Sequence, residues 1–356
     1  MNDPVKSYPR VTVCVPVRNG ALTISRTLDS ILAQDYPNFE IIVSDNCSTD
    51  ETAEIVQSYS ARGVRYYLNP QLETYGESNW NHILSLANGP LIALYHADDI
   101  YTPTIVRRQV EFLEAHPETS AVFTMSQTID EHDRPIRMGH MRLPEELRSR
   151  DRFEFPKYFN AVLKYCTFTP VPTMMTRREV LDKVGNFRWQ MFATATDVDL
   201  YLRMARQWGP IGVIDEPLHK YRISSAQGSA LIARNRIELA DYFRAIDAHL
   251  NDSEDKRAVQ PRSLAFYEIY RSTDQVICAM NLLIQEKTVG ACANLRKALH
   301  WRHFVTALKR PRVLVWLLAG LVLIISSSMG FGTFVGRRVQ GAYAYRNAWL
   351  RKPSER

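Results

Sequence analysis

The chain has 356 residues, 46% hydrophobic and 23% charged, which suits one large or two smaller globular domains and excludes a disordered chain. Its net charge of +6 suits an anionic partner, but many basic residues lie in the C-terminal stretch around an apolar run. That pattern fits a membrane surface better than nucleic acid, for which no motif is present. Cys14, Cys47, Cys166, Cys278 and Cys292 form no Cys-x-x-Cys pair, which argues against a disulfide framework or zinc site and for reduced, cytosolic thiols. Residues 1–4 lack the apolar core of a signal peptide.

Residues 11–15 are a β-branched run that predicts a first strand stopping at Pro16, with Val17, Arg18, Asn19 and Gly20 as a polar loop. Ile24, Leu28, Ile31 and Leu32 give the following stretch a helical stripe. Residues 39–44 read as a second strand ending at Asp45. Ser48-Thr49-Asp50-Glu51 has capping-box spacing, which predicts a helix over 49–59. A third strand over 64–68 and a helix from Ser78, with Asn79 and Asn81 in its first turn, lead to residues 91–95. This alternation predicts a parallel sheet of right-handed βαβ units.

Residues 91–95 are apolar and bounded by Gly89-Pro90, as a central strand requires, and the run ends in His96-Ala97-Asp98-Asp99. Ligands of open α/β sheets bind beyond the carboxyl ends of the strands, which puts Asp45, Asp98 and Asp99 where chemistry is expected. Neighbouring carboxylates there suit a divalent cation and a ligand hydroxyl. The plainer reading is that Asp98 and Asp99 cap a helix beginning near Thr102-Pro103.

Residues 15–20, residues 39–50 and Ala97-Asp98-Asp99 together resemble the successive motifs of the family 2 inverting glycosyltransferases with a GT-A fold, and the match runs from about residue 10 to 225. The resemblance implies an α/β, Rossmann-like, mostly parallel sheet flanked by helices, and a donor made of a nucleoside diphosphate joined to a sugar. Carried over by position, Pro16, Val17, Arg18 and Asn19 line the nucleotide pocket and Asp45 bonds the base. Asp98 faces the ribose and Asp99 binds Mg2+ or Mn2+. Arg18 stands where many members have an aromatic residue, and its guanidinium suits stacking on the base or a phosphate contact. His96 stands where an acid often begins the triplet, and reads first as a packed histidine.

Beyond the acids, residues 121–125 predict a strand and residues 134–156 a loop. Residues 194–203 resemble the family's Glu-Asp element, with Thr196 in place of Glu. An inverting transfer needs a carboxylate to take the acceptor's proton, and Asp197 is the candidate base. Asp199 is its reserve, Arg203 an ion-pair partner, and a helix N-cap the plain alternative for Asp197. Tyr221 and Arg222 resemble the pair that closes the family domain over the diphosphate, a role left open here, as is a diphosphate or acceptor contact for Asn81.

From Leu231 and Ile232 onward the pattern becomes helical. The expected organisation is a catalytic domain over 1–225, a helical extension over 226–290, an amphipathic basic segment over 291–312, an apolar membrane segment over 313–335 and a basic tail over 336–356. Residues 313–335 carry no charge and as one helix would extend about 35 Å, enough to cross a bilayer. Lys309, Arg310 and Arg312 precede the run, and Arg337 and Arg338 follow it. The charge bias therefore orients no single span, and a re-entrant hairpin competes with it.

The expected protein is a metal-dependent transferase at the cytoplasmic face of the cell membrane, using a nucleotide sugar and a sugar or lipid-linked acceptor in cell-surface polysaccharide or glycolipid synthesis. Rivals are a nucleotide-sugar nucleotidyltransferase, for which the loop after the first strand is short, and a catalytically silent sugar-nucleotide binder, for which Thr196 is the hint.

Overall fold

The computed structural model describes residues 8–70, 78–224 and 236–350, in two compact units. The first comprises most of residues 8–222. Its β1 (Val11–Val17), β2 (Phe39–Asp45), β3 (Val64–Leu68) and β4 (Leu91–Leu94) alternate with α1 (Ile24–Leu32), α2 (Thr52–Ser58) and α3 (Ser78–Leu86). β1 is β-branched and buried along its whole core, as a strand covered on both faces must be. It pairs in parallel with β2, Val17 opposite Asp45, and with β4, Cys14 opposite Leu94. The polar residues that follow these strands therefore emerge at one edge.

β5 (Ile100–Tyr101), α4 (Ile105–Ala115), β6 (Ala121–Ile129), β7 (Pro135–Met141), β8 (Arg152–Phe153), α5 (Phe155–Tyr165), β9 (Met174–Arg177), α6 (Arg178–Val184), α7 (Trp189–Phe192), α8 (Thr196–Gln207) and β10 (Ile211–Arg222) follow. The strand order is β3-β2-β1-β4-β9-β6-β10-β5. The expected mostly parallel sheet is mixed: β9 runs antiparallel between β4 and β6, and β5 and β8 run antiparallel to β10. β10 carries Pro217 at a register shift against β6, where a residue without an N–H is tolerated.

Three local expectations change. The second helix begins at Thr52, because Asp50 accepts from the Thr52 amide and the Ser48 hydroxyl turns back to Asp45. The helix after the acids has Thr104 and not Thr102 at its N-cap, although it runs over the expected Ile105–Ala115. Residues 134–156 form strands and a short 3-10 turn in addition to loop.

The second unit holds α9 (Asp241–Asn251), α10 (Ser253–Arg257), α11 (Pro261–Ile284), α12 (Thr288–Ala298), α13 (Trp301–Ala307), α14 (Pro311–Ser328) and α15 (Gly332–Leu350). Leu231 and Ile232 lie outside the described residues. Val276, Met280 and Leu283 of α11 pack with Ala291, Leu295 and Leu323. The amphipathic segment expected over 291–312 is broken at Leu299-His300, between α12 and α13. The apolar run is also two helices. The Gly330 amide bonds Ser327 O and the Phe331 amide bonds Ser326 O, which with Gly330 at φ 84° is the Schellman stop that glycine permits.

Candidate active site

The loops after β1 and β2 lock together. Asn19, at φ 51°, accepts from the Thr49 amide at 2.8 Å and donates its own amide to the Ser48 hydroxyl at 2.8 Å. Asparagine is among the side chains that tolerate this left-handed conformation. The Gly20 amide donates to Thr52 Oγ1 and the Ala21 amide to Asp50 Oδ2. Burial opposes charge on Asp50, but bonds from Thr52 and the Ala21 amide outweigh it and lower its pKa. A Cβ on Gly20 would meet Val17 Cγ2 at 2.6 Å, so only glycine lets this loop close. Arg18 is exposed and Pro16 half-buried, whereas the Val17 side chain sits in the core.

Asp45 is buried, with Oδ1 accepting from the Ser48 amide and hydroxyl at 2.9 and 2.6 Å and Oδ2 from the Tyr66 hydroxyl at 3.0 Å. A carboxylate has about four lone-pair sites, so room for about one further donor remains. Burial first, then this carboxylate, push the Tyr66 phenol up to about 12, keeping it a donor.

The acid turn is held from three sides. The Thr27 hydroxyl bonds Ala97 O and Asp99 O at 2.9 and 2.7 Å. Tyr101, stacked on Tyr95, accepts from the His96 amide at 2.7 Å. Because β5 pairs with the end of β10, Arg222 reaches back: its amide donates to Asp99 Oδ1 at 2.8 Å and its Nε to Asp98 O at 2.7 Å. Asp99 Oδ2 lies 2.9 Å from His219 Nε2 without the alignment of a hydrogen bond, and both residues are fully buried. His219 Nδ1 pairs with the Ser126 hydroxyl at 2.8 Å. His96, Asp98 and Asp99 each present a ligand atom, all within 4.8 Å of one another. Asp99 Oδ2 and His96 Nε2 have no hydrogen-bond partner among the described residues, so the cluster fits a divalent cation. Burial foremost lowers the pKa of His96, and the nearby Asp98 and Asp99 charges only partly oppose this.

Asp197 and Asp199 have separated roles. Asp199 is buried and bonds Arg203 Nε at 2.8 Å, while Arg203 Nη1 and Nη2 bond Val184 O and Asn186 O at 2.6 and 2.7 Å. The reserve base is thus engaged in a buried ion pair that fixes residues 184–186. Asp197, in the first turn of α8, is partly accessible, and desolvation raises its pKa to about 6. Asn81 is engaged too: its amide bonds both the N–H and the C=O of Phe187 at 3.0 and 2.8 Å. Phe187 packs edge-on against Trp80, whose ring lies 5.7 Å from His96. A chain of contacts therefore links the loop between α6 and α7 to the acid turn.

One consequence is a stability prediction. Arg203→Leu removes the guanidinium that Asp199 bonds at 2.8 Å, while Arg188 Nε stays 3.8 Å from the same carboxylate, so the cost should reach at most about 3–5 kcal/mol. A urea denaturation curve checks this, and a midpoint unchanged from the parent would show that the pair is not structural.

No role for His219, Tyr101, Thr27 or Trp80 was legible in the residues alone. His219 lies within the motif that contains Tyr221 and Arg222, but only the antiparallel pairing of β5 with β10 brings it to Asp99.

Residues 12–185 match the family described as Glycosyl transferase family 2. The putative glycosyltransferase EpsE of Bacillus subtilis is 35% identical over 130 residues, 36% of this chain and 46% of that protein, so the chain spans about half the length of that relative. An uncharacterised glycosyltransferase of Methanocaldococcus jannaschii is 26% identical over 225 residues, 63% of this chain and 72% of the other. Among solved structures, S. aureus TarS 1-349 in complex with UDP-GlcNAc aligns with a TM-score of 0.58 at 17% identity, over 94% of this chain and 92% of that one. At that identity the likeness is one of fold.

Proposed function

We propose, from the match of residues 12–185 to glycosyl transferase family 2, that the chain transfers a sugar, with inversion, from a nucleoside-diphosphate sugar to an acceptor hydroxyl. The observation that carries the reading is the division of labour between two acidic sites in the first unit: a cation-fitting cluster at the end of β4 and a lone carboxylate of raised pKa at the start of α8. Inversion is a single displacement. The acceptor oxygen attacks the anomeric carbon opposite the leaving diphosphate and gives its proton to a base, here Asp197.

The catalytic domain is residues 1–225 and the helical extension 226–290. Pro16, Arg18 and Asn19, with the Val17 backbone, border the nucleotide, and Asp45 offers its remaining lone pair to the base. Asp99 would hold Mg2+ or Mn2+, which when bound would neutralise charge on the departing diphosphate, with Asp98 in reach of the ribose. Arg222 steadies the acid turn, a role supported by its bonds to Asp99 and Asp98, and Tyr221 contacts the diphosphate or acceptor. A silent sugar-nucleotide binder is the second reading, favoured only by Thr196; the raised pKa of Asp197 favours catalysis.

The test is to incubate the purified chain with a panel of nucleotide sugars, Mn2+ or Mg2+ and candidate acceptors, and to assign the product anomer by NMR. Metal-dependent transfer with inversion is expected. Retention of configuration, or no binding of any nucleotide sugar, would overturn the reading.

Membrane association at the cytoplasmic face, in polysaccharide or glycolipid synthesis, is the second part of the proposal. Pro311–Ser328 has a mean hydropathy of 1.8 with only 22% of that window buried. Val315, Leu318, Val322, Ile325 and Met329 recur at three- and four-residue steps on one exposed face, and Trp301, Val305 and Leu308 are exposed beside Arg302 and Lys309. Apolar residues rimmed by basic ones suit an anionic lipid interface. The break at Gly330 gives α14 and α15 the form of a hairpin, which favours a docked or re-entrant segment. Changing Val315, Leu318, Val322 and Ile325 to Gln should weaken binding to anionic vesicles more than about tenfold. Flotation assays check this, and undiminished binding would place the anchor elsewhere. Substitution is a cleaner test than removing everything from Ala291, which would uncover Val276, Met280 and Leu283.

A further inference from the structure

The acid turn differs from an all-carboxylate site in one ligand. His96 stands first in His96-Ala97-Asp98, and one of its ring nitrogens lies within 4.8 Å of ligand oxygens of both Asp98 and Asp99. Its Nε2 is buried and has no hydrogen-bond partner among the described residues. Buried polar atoms are nearly always bonded, and beside two carboxylates a cation is the natural partner for a ring nitrogen. The ring is also positioned from outside. The His96 amide is tied to the Tyr101 hydroxyl at 2.7 Å, and Trp80, itself packed on Phe187, lies against the imidazole with centroids 5.7 Å apart.

We propose that His96 is a nitrogen ligand of the divalent cation, and that it shifts the site's preference from Mg2+ towards first-row transition ions. This rests on the metal part of the proposed function, and its test reads metal binding instead of sugar transfer, so each can fail alone. The reason is ligand chemistry. Mg2+ favours a near-octahedral set of oxygens and holds its waters, so a nitrogen position contributes little to it. Imidazole is a good ligand for later first-row ions, and affinity at mixed nitrogen and oxygen sites rises from Mn2+ to Co2+. The expected order is therefore Mg2+ below Mn2+ below Co2+. His96→Asp restores an all-oxygen set and removes most of that discrimination.

The experiment uses the full chain loaded with Mn2+ or Co2+ alone, without donor. Pulsed EPR of the Mn2+ form should show coupling to a directly bound 14N nucleus, replaced by the 15N pattern when the protein is made with 15N-histidine. In His96→Asp the coupling should vanish and the ratio of Co2+ to Mg2+ affinity, measured by calorimetry, should fall at least about tenfold. Because His219 Nε2 lies 2.9 Å from Asp99 Oδ2, His219→Asn serves as the control and should keep the coupling. Three results overturn the proposal: no nitrogen coupling in the Mn2+ form, coupling that persists in His96→Asp, or no binding of Mn2+ or Co2+ by the parent chain. The 15N comparison changes no residue and decides whether a histidine binds the ion, and coupling lost in His219→Asn would likewise overturn the assignment to His96.

Discussion

Asp197→Asn should lower the rate of transfer about 10²- to 10⁴-fold while leaving donor affinity nearly unchanged, the pattern of a lost general base. The pH dependence has a fixed sign. Asp197 must be ionised to accept a proton, and desolvation raises its pKa to about 6. Activity should therefore hold above that pH and fall about tenfold per unit below it, and this acid limb should disappear in Asp197→Asn. The same shift has a consequence for stability. With its folded pKa above the unfolded one, Asp197 binds its proton more tightly in the native state and favours folding at low pH. That contribution is lost as pH rises through about 6. At neutral pH the variant should thus melt no lower than the parent while losing its rate, a pairing expected where function requires a destabilising charge. Asp199→Asn should do the reverse, weakening the fold through Arg203. A slow Asp199→Asn beside a fully active Asp197→Asn would overturn the assignment of the base.

Asp99→Asn should lower turnover at least about 10²-fold and metal affinity about 10- to 100-fold. Asparagine is chosen over alanine for a structural reason. Asp99 is fully buried and its Oδ1 accepts the Arg222 amide. Alanine would leave that donor unmade, at a cost of about 1–3 kcal/mol, and would confuse lost chemistry with a loosened turn. Asparagine keeps an acceptor oxygen and removes the charge. Metal affinity by calorimetry and turnover with excess Mn2+ check the prediction. A variant that kept full activity in chelator would show that no cation works through Asp99.

How much of this was readable in advance follows from the range of the interactions. β1, β2, β3 and β4 were legible because β-branched runs bounded by Pro, Gly and acids need no distant partner to be identified, and a parallel sheet sends their carboxyl ends to one edge. Asp45, Asp98 and Asp99 were legible for the same reason. So was an ion pair for Arg203, which Asp199 supplies from four residues, about one helical turn, before it.

What the sequence left open was fixed by contacts between residues far apart in the chain. The register of β10 against β5 brings His219 and Arg222 onto Asp99, and a slip of one residue would have turned those side chains to the other face. Asn81, read as a contact for diphosphate or acceptor, is held by Phe187, 106 positions away. The antiparallel β9 in mid-sheet carries no local mark of its direction. The apolar run near the C-terminus shows both cases. Its hydrophobicity is a property of composition and was plain from the residues. The left-handed turn at Gly330 that folds it into two helices, and the face left uncovered once α11 packs on the other, exist only in the tertiary structure, because packing decides which half of an apolar helix is buried.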